Sequence, residues 1–353
     1  MRCLYIIAVL YLCLGAGGVM ISNTKSSHRE STTSPVIAVF VLPAEGSEAL
    51  PGCGTECEFV AAAFIEWLAT AGARAYPISY EASRAQIRGV LDSVNGLLFS
   101  GGVIEQSPTT RWALEYAIRL NRRGDYFPVW GGCLGFEWIV QYLAGNKRVV
   151  FGGFDSNNMT QPLGLVSGAE SSRMLSGFPS EFLDQAGVEP VTTHNHDCGV
   201  SPDAVLESGL NKTLRVLTIN HDRAGKAFVG LAEAVDLPIY GVQWHPEKVM
   251  FQWALDPDGT PVWVINHGEV ARKLSQHLAG FFVSETRRNL HVIPDPGKWE
   301  PCMFHNLQTT PTRPLCDQTY QFFPKRDDAN LSCASFTNPT RRSRLGGAFD
   351  MPI

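Results

Sequence analysis

The sequence predicts an α/β fold built on a mostly parallel sheet with helices on both faces. Apolar runs of strand length, such as 36–42 and 95–100, alternate with amphipathic helical segments. Runs without polar alternation are typical of strands buried on both faces. Alternation of such strands with helices indicates right-handed βαβ units. The third observation is a glycine-flanked cysteine at 131–135, which stands between a strand pattern and a helix pattern.

The totals set only broad limits. The chain has 353 residues, of which 44% are hydrophobic and 18% charged, and its net charge is −5. This length fits one large α/β domain or two modest ones, with enough apolar material for a core. The mild acidity leaves no basic surface of the kind that binds nucleic acid, so nucleic acid is not an expected partner.

Residues 1–21 predict a secretory signal peptide. Arg2 precedes the apolar run 4–14, which ends in the small residues 15–18. The alternative is an uncleaved anchor helix, because the run nearly reaches the roughly 17 residues that span a membrane. After cleavage we expect no membrane attachment. The polar, Ser- and Thr-rich stretch 22–34 predicts a mobile leader.

Entry to the secretory pathway changes the interpretation of the cysteines. An odd number in an oxidising compartment leaves at least one free thiol, which we assign to Cys133, and the other six could form up to three disulfides. The seven cysteines beyond the signal peptide are Cys53, Cys57, Cys133, Cys198, Cys302, Cys316 and Cys333.

Three sequons fit a glycosylated chain of the secretory pathway. They begin at Asn158, Asn211 and Asn330, and each has the acceptor pattern Asn-x-Ser/Thr. Glycans would place these three positions on the surface.

The elements before the cysteine follow one another in a regular order. Apolar residues from Val60 to Ala71 mark one face of a helix that ends at Gly72. Glycine, proline and helix-end residues then separate further strands and helices. The predicted elements are a strand at 73–78, a helix at 83–91, a strand at 95–100, a helix at 109–122 and a strand at 126–130.

Shorter elements are predicted in the second half. Strands are expected at 214–219, 227–231 and 239–244, followed by a helix with apolar positions from Val270 to Phe282. Residues 35–291 are therefore assigned to one catalytic domain. Residues 292–353, rich in Pro, Asn and Thr and containing three cysteines, predict an extension that wraps the surface and ends in disorder.

Cys133 is a candidate nucleophile. Glycines on both sides permit a tight strand-to-helix turn, which exposes the thiol at the carboxyl edge of the sheet. The N-terminus of the following helix then favours the thiolate over the thiol. The alternative is a buried turn in which Cys133 is only a compact apolar side chain.

His245 and Glu247 supply the base and the orienting group that such a nucleophile needs. They close a predicted strand, and residues two apart on a strand project from the same side. Glu247 would then accept a hydrogen bond from His245, whose other nitrogen would face Cys133. Taken singly, a structural histidine and a solvated turn glutamate are the alternatives. The backbone amides of Leu134 and Gly102 are the candidate oxyanion hole.

These motifs resemble known families. Residues 131–135 and 243–247 are similar to the G-x-C-x-G and H-P-E motifs of class I glutamine amidotransferases. The longer stretches 124–137 and 240–248 resemble the γ-glutamyl hydrolase family. So do 95–102, 172–174 and 281–288, and the similarity runs from about 35 to 332.

The resemblance implies a class I glutamine amidotransferase-like (flavodoxin-like) sandwich without a cofactor. It implies hydrolysis of γ-glutamyl bonds in folyl and antifolyl poly-γ-glutamates through a γ-glutamyl thioester on Cys133. By the same resemblance, His245 transfers the proton to the leaving amine and then activates water, and Glu247 orients His245. The family also implies a lysosomal, vacuolar or extracellular location and a homodimer.

The family places one more histidine in the site. His196 matches it best, and His194, two residues away, is the alternative. A His-x-His pair also raises the question of a metal, although the sequence offers no evident third ligand. Glu58 and Phe59 stand where the family commonly has Tyr-Tyr or Ser-Tyr, so Phe59 is assigned to the substrate pocket without the usual hydroxyl.

Two other functions stay open. A glutaminase domain that passes ammonia to a synthase requires a partner in the cytosol or a fused domain, which does not fit a signal peptide. A catalytically inactive glycoprotein that binds γ-glutamyl ligands does not fit the joint presence of Cys133, His245 and Glu247.

Overall fold

The structure is a computed structural model that describes residues 31–44, 50, 57–312 and 316–322. The predicted signal peptide at 1–21, Asn330 and the end of the predicted extension lie outside these residues. Within the described part of the chain, no helix combines the length and apolar character needed to cross a membrane.

The described residues form twelve β-strands, of which ten belong to one sheet. They are β1 (Val36–Pro43), β2 (Glu58–Ala61), β3 (Arg74–Ser79), β4 (Gly96–Phe99), β5 (Val129–Gly132), β6 (Ser156–Gln161), β7 (Thr192–His196), β8 (Leu214–His221), β9 (Ala227–Ala234), β10 (Ile239–Val242), β11 (Thr309–Thr312) and β12 (Cys316–Phe322).

The centre of the sheet is parallel and its flanks are antiparallel. β1, β3, β4, β5 and β10 run parallel, in the order β3-β1-β4-β5-β10. β9 and β8 continue antiparallel beyond β10, while β2, β12 and β11 extend from β1 on the other side. β6 and β7 form a separate antiparallel pair. The carboxyl ends of β4, β5 and β10 therefore meet at one edge, where ligands bind in such sheets.

Nine α-helices lie within the described residues, and short 3₁₀ turns follow several of them. They are α1 (Ala62–Thr70), α2 (Arg84–Leu91), α3 (Pro108–Arg122), α4 (Leu134–Ala144), α5 (Ser180–Ala186), α6 (Pro202–Glu207), α7 (Lys248–Phe251), α8 (Glu269–Thr286) and α9 (Pro296–Trp299).

The helices cover both faces of the sheet, because neighbouring residues of a buried strand face opposite sides. Val39 of β1 packs in one core with residues of α1 and α8, including Trp67 and Phe282. Phe40 packs in a second core with residues of α2 and α3, including Ile87. This two-sided packing confirms the predicted fold class and explains why the strand sequences are apolar without alternation.

Two segments differ from the prediction. Val60, expected at the start of a helix, lies in β2, and α1 begins only at Ala62. The segment after 292 was expected on the surface, but β12 pairs with β2 and β11 pairs with β12. Phe304 and Phe322 from this segment are buried in the main core. The extension therefore completes one side of the catalytic sheet.

Candidate active site

The cysteine turn joins β5 to α4. Cys133 has φ 48° and ψ −108°, a conformation that non-glycine residues rarely adopt. Its backbone N–H donates to the Val242 carbonyl at 2.8 Å, which ties the turn to the end of β10. Strained backbone of this kind is held only where the surroundings determine it, as at a nucleophile between a strand and a helix.

The flanking glycines are required by close packing. A Cβ added to Gly135 would lie 2.3 Å from the Phe99 carbonyl oxygen, and one added to Gly131 would lie 2.6 Å from the Gly135 carbonyl oxygen. Real Cβ atoms do not approach backbone so closely, because van der Waals repulsion rises steeply at these distances. The prediction that these glycines allow a tight turn is confirmed.

His245 and Glu247 are hydrogen-bonded, with His245 Nδ1 2.7 Å from Glu247 Oε1. The predicted reason for this contact was wrong. β10 ends at Val242, and Glu247 lies in helical conformation as the N-cap of α7. A turn, not strand alternation, therefore brings the two side chains together. Since a carboxylate only accepts, Nδ1–H is the donor and Nε2 carries the free lone pair.

Gly101, two residues after the end of β4, lies against both His245 and Cys133. A Cβ on Gly101 would be 2.8 Å from His245 Cε1 and 3.5 Å from Cys133 Cβ. The predicted oxyanion-hole residues flank this point. Leu134 directly follows Cys133 as the first residue of α4, and Gly102 is covered by the side chains of Leu42 and Leu134.

Burial controls the charge of the nucleophile and the base. Cys133 is 5% exposed and His245 7%. Burial, with the nearby Glu137 carboxyl, raises the pKa of the Cys133 thiol. Burial lowers the pKa of His245, against the opposing effect of Glu247. Desolvation opposes the effect that we expect of the helix N-terminus, and both pKa shifts favour a neutral thiol beside a neutral imidazole.

Two buried polar residues beside the thiol were missed in the sequence. Gln243 Nε2 donates to Glu137 Oε1 at 2.9 Å and lies 3.9 Å from Cys133 Sγ. Burial raises the pKa of Glu137 to about 7. The helical spacing of four between Cys133 and Glu137 was available as a signal, since such residues share a helix face.

His194 and His196 form a hydrogen-bonded pair in β7. His196 Nδ1 lies 2.8 Å from the Cys198 carbonyl oxygen, and His196 Nε2 lies 3.2 Å from His194 Nδ1. His194 Nε2 lies 3.0 Å from Thr192 Oγ1. The strand adjoins the base, because the Thr193 carbonyl accepts from the His245 backbone N–H at 2.8 Å.

The position of the proton on His196 follows from its contact with the Cys198 carbonyl. Because a carbonyl can only accept, His196 Nδ1 carries the proton and Nε2 must accept from His194. The Thr192 hydroxyl lies 3.0 Å from His194 Nε2 and 2.9 Å from the Gln161 carbonyl oxygen, so its single proton can serve only one of these two acceptors. Burial lowers the pKa of His196 to about 4, and burial also lowers the pKa of His194 below its usual value. Both shifts favour the neutral form of the ring.

Phe59 lies at the same edge of the sheet but three strands from β5. It pairs across the strands with Leu42, which packs on Gly102. Its ring contacts a small cluster of Ala44, Leu50 and Cys57. Its assignment to the substrate pocket stays a prediction. Beside it, Glu58 is buried, and burial raises its pKa to about 7.

The cysteines differ in part from the prediction. Cys133 is free, as expected, but Cys198 is a second free thiol, so the remaining cysteines cannot form three disulfides. Cys57 and Cys302 are each in a disulfide.

Of the described sequons, Asn211 is exposed. Asn158 is half-buried and donates to the Val262 carbonyl while accepting from the Val264 N–H. A glycan at Asn158 would require these bonds to break. Glycosylation stays a prediction at each site.

The sequence is similar to a known family and to several characterised proteins. A family model described as Glutamine amidotransferase class-I matches residues 62–254. The chain is 31% identical to Gamma-glutamyl hydrolase of Homo sapiens over 312 residues, covering 86% of this chain and 93% of that protein. It is 30% identical to Gamma-glutamyl hydrolase B of Dictyostelium discoideum, covering 83% of each, and 29% identical to Gamma-glutamyl hydrolase 1 of Arabidopsis thaliana, covering 78% of each.

Proposed function

Because the chain belongs to the gamma-glutamyl hydrolase family, we propose that Cys133 cleaves the γ-glutamyl bonds of poly-γ-glutamyl folates through a covalent γ-glutamyl thioester. Family membership makes the chain an enzyme that hydrolyses γ-glutamyl bonds, while the roles of the residues and the folate portion of the substrate are the proposal. The observation that carries it is the Glu247–His245 hydrogen bond, together with the approach of His245 and Cys133 to the same position beside Gly101.

Acylation follows from the tautomer of His245. As Cys133 Sγ attacks the γ-carbonyl carbon, its proton passes to the free Nε2 lone pair, and the carbonyl π electrons move to oxygen. The backbone N–H groups of Leu134 and Gly102 are proposed to stabilise this oxyanion. The imidazolium then gives the proton to the amide nitrogen, which leaves as an amine. Glu247 stabilises the transient positive charge.

Deacylation reverses these roles with water. Nε2 takes a proton from water, whose oxygen attacks the thioester carbonyl. Collapse of the second tetrahedral intermediate breaks the S–C bond, and the thiolate takes back the proton. The neutral resting pair of Cys133 and His245 means that charge separates only as the bond to carbon forms. General-base assistance is therefore required at each attack.

We further propose that the protein acts in the secretory pathway, in an extracellular or lysosomal/vacuolar setting. The disulfides of Cys57 and Cys302 support an oxidising environment during folding. The exposed Asn211 sequon fits the same route. Detection of an Endoglycosidase-sensitive glycan on the protein secreted by a eukaryotic host tests this; a non-glycosylated, cytosolic product contradicts it.

The experiment for the activity compares three proteins on pteroyl-poly-γ-glutamate, with products separated by liquid chromatography. The wild type is expected to shorten the glutamate chain. Cys133→Ala is expected to lose at least about 10³-fold in kcat/KM, because no other group supplies the nucleophile. Cys198→Ala, which removes the other free thiol, is the matched control and is expected to retain activity.

Folded Cys133→Ala with full activity would contradict the proposed nucleophile. The same proteins tested on free glutamine distinguish the glutaminase function. Ammonia release from glutamine faster than chain shortening would favour that alternative over γ-glutamyl hydrolysis.

A further inference from the structure

Lys248 is a buried cation beside the candidate active site whose ammonium group has no anionic partner. It is the first residue of α7, directly after Glu247, and is 7% exposed. Within the described residues, Nζ makes neither an ion pair nor a hydrogen bond, whereas its backbone N–H donates to the His245 carbonyl at 3.3 Å. Burial of the side chain removes part of the hydration of the ammonium, and an anionic ligand would compensate that loss.

The ammonium lies over an aromatic ring whose own N–H has no acceptor in the part of the chain that the structure describes. Lys248 Nζ lies 4.3 Å from the centroid of the Trp263 ring. The Trp263 indole N–H is buried and has no acceptor among the described residues. A cation–π contact compensates part of the charge but accepts none of the three ammonium protons in a conventional hydrogen bond.

The two side chains together present a positive charge and an N–H donor without an acceptor. Two such donors match an anion with two acceptor oxygens, and a carboxylate is the group that such donors pair with most directly. Lys248 is close to the reacting groups, because it directly follows Glu247 and its backbone N–H donates to the His245 carbonyl at 3.3 Å.

We propose that Lys248 and Trp263 form a subsite for an α-carboxylate of the γ-linked glutamate substrate. This inference rests on the proposed function. A γ-glutamyl bond leaves the α-carboxylate free on the residue that acylates Cys133 and on the residue that leaves. An α-linked peptide bond consumes the α-carboxylate of the acyl residue, so a subsite for this group also favours the γ linkage.

The test uses N-benzoyl-γ-glutamyl-glutamate and two analogues, in which the α-carboxylate of the acyl residue or of the leaving residue is replaced by a carboxamide. Wild type is expected to lose roughly 10- to 100-fold in kcat/KM on one analogue, the effect of losing a hydrogen-bonded charge. Which analogue suffers identifies the carboxylate that is bound.

Lys248→Met is expected to lower kcat/KM on the parent substrate by the same factor. It should cleave the parent substrate and the analogue that wild type cleaves poorly with equal kcat/KM. Trp263→Phe keeps the ring and removes the N–H, so a smaller loss of the same preference is expected. If thermal unfolding shows that Lys248→Met does not fold, Trp263→Phe tests the subsite in its place.

Matched controls are available. Lys226 has its Nζ 3.9 Å from the Phe154 ring centroid and donates to the Gly153 carbonyl, so its ammonium already has a partner. The exposed Trp253 donates its indole N–H to the Met250 carbonyl. Lys226→Met and Trp253→Phe should both keep the wild-type preference.

Three results would overturn the inference. The first is equal kcat/KM of wild type on all three substrates, and the second is a Lys248→Met enzyme that retains the wild-type preference. The third is an equal loss of rate on all three substrates in Lys248→Met, which would show that Lys248 acts only on the thiol. Failure of wild type to cleave even the parent substrate would instead overturn the proposed function, and this inference with it.

Discussion

At the scale of single residues, the site depends on which nitrogen of His245 carries the proton. Glu247, 2% exposed, fixes that proton on Nδ1 through a 2.7 Å hydrogen bond. The Cys198 carbonyl fixes the proton of the neighbouring His196 on Nδ1 in the same manner. Orientation of an imidazole by a buried acceptor thus occurs twice at this edge of the sheet.

Glu247→Gln should lower kcat by about 10²- to 10⁴-fold with little change in KM. The amide can donate as well as accept, so it no longer fixes the Nδ1–H tautomer, and it does not stabilise the imidazolium. Steady-state kinetics on poly-γ-glutamyl folate measures this. Glu207→Gln, at an exposed position in α6, is the control. A Glu247→Gln enzyme with wild-type kcat would show that Glu247 does not orient the base.

Glu137 should set the alkaline limb of the pH profile. Its pKa is about 7, so it gains a negative charge beside Cys133 as the pH rises through that value. This charge raises the pKa of the Cys133 thiol. Each pKa unit lowers the fraction of thiolate about tenfold. The rate should therefore fall above pH 7, while the acid limb reflects His245, whose pKa is below its usual value.

Glu137→Gln should remove the alkaline fall and leave the acid limb in place. The measurement is kcat between pH 5 and 9 for both proteins, within the range where each stays folded. An alkaline limb that is unchanged in Glu137→Gln would assign it to another group.

The sequence predicted the chemistry of the site better than its electrostatics. Cys133, His245 and Glu247 stand in recognisable motifs, and the structure brings His245 and Glu247 into contact. The loss of solvent around Cys133 depends on residues from β4, β5 and β10, which are distant in the sequence. For the same reason the burial of Glu137 and Gln243 could not be predicted, although the spacing of Glu137 from Cys133 was visible in the sequence.

At the scale of elements, the turn from β5 to α4 determines where the thiol lies. Gly135 lets α4 begin directly against β4, because any Cβ there would overlap the Phe99 carbonyl. The positive φ of Cys133 is the remaining strain at this junction. Local sequence encodes this turn almost completely.

Gly135→Ala should destabilise the protein by several kcal/mol or prevent folding, since backbone atoms cannot move aside as a flexible side chain can. Gly89→Ala is the control, because a Cβ at Gly89, within α2, meets nothing within 4 Å. It should stabilise by about 0.5–1 kcal/mol. Thermal and denaturant unfolding of the two variants measures the contrast. Equal stabilities would refute the packing argument.

The strands β2 and β12 show where sequence reasoning failed. β2 has four residues, too few for its alternation to be distinguished from the start of α1. Its pairing with β12 joins segments about 260 positions apart, as in the register of Phe322 with Glu58. A pairing of such long range leaves no periodic pattern in either segment, so the extension resembled an irregular surface tail.

At the scale of the whole molecule, buried titratable groups make stability depend on pH in opposite directions. The pKa of Glu58 and that of Glu137 are raised to about 7 by burial. These carboxyls contribute stability in acid that is lost as the pH rises from 4.5 to 7. His196, with its pKa lowered to about 4, acts oppositely and removes stability as the pH falls below 6.5.

Glu58→Gln isolates one of these contributions. A rise in pKa from 4.5 to about 7 corresponds to about 3 kcal/mol. Relative to the wild type, Glu58→Gln should therefore become more stable by up to this amount between pH 4.5 and pH 7.5. Unfolding free energies at the two pH values test it, with the exposed Glu181→Gln as the control. A stability difference that does not change with pH would mean that Glu58 is ionised in the folded protein.

The central claim, a covalent thioester on Cys133, has a direct measurement. Enzyme in excess over poly-γ-glutamyl folate is quenched in acid during a single turnover, and its cysteine peptides are identified by mass spectrometry. The account predicts a γ-glutamyl group on Cys133 that appears before the product acid and then decays, with none on Cys198. Complete turnover in which Cys133 is unmodified at every time point while product forms would contradict it.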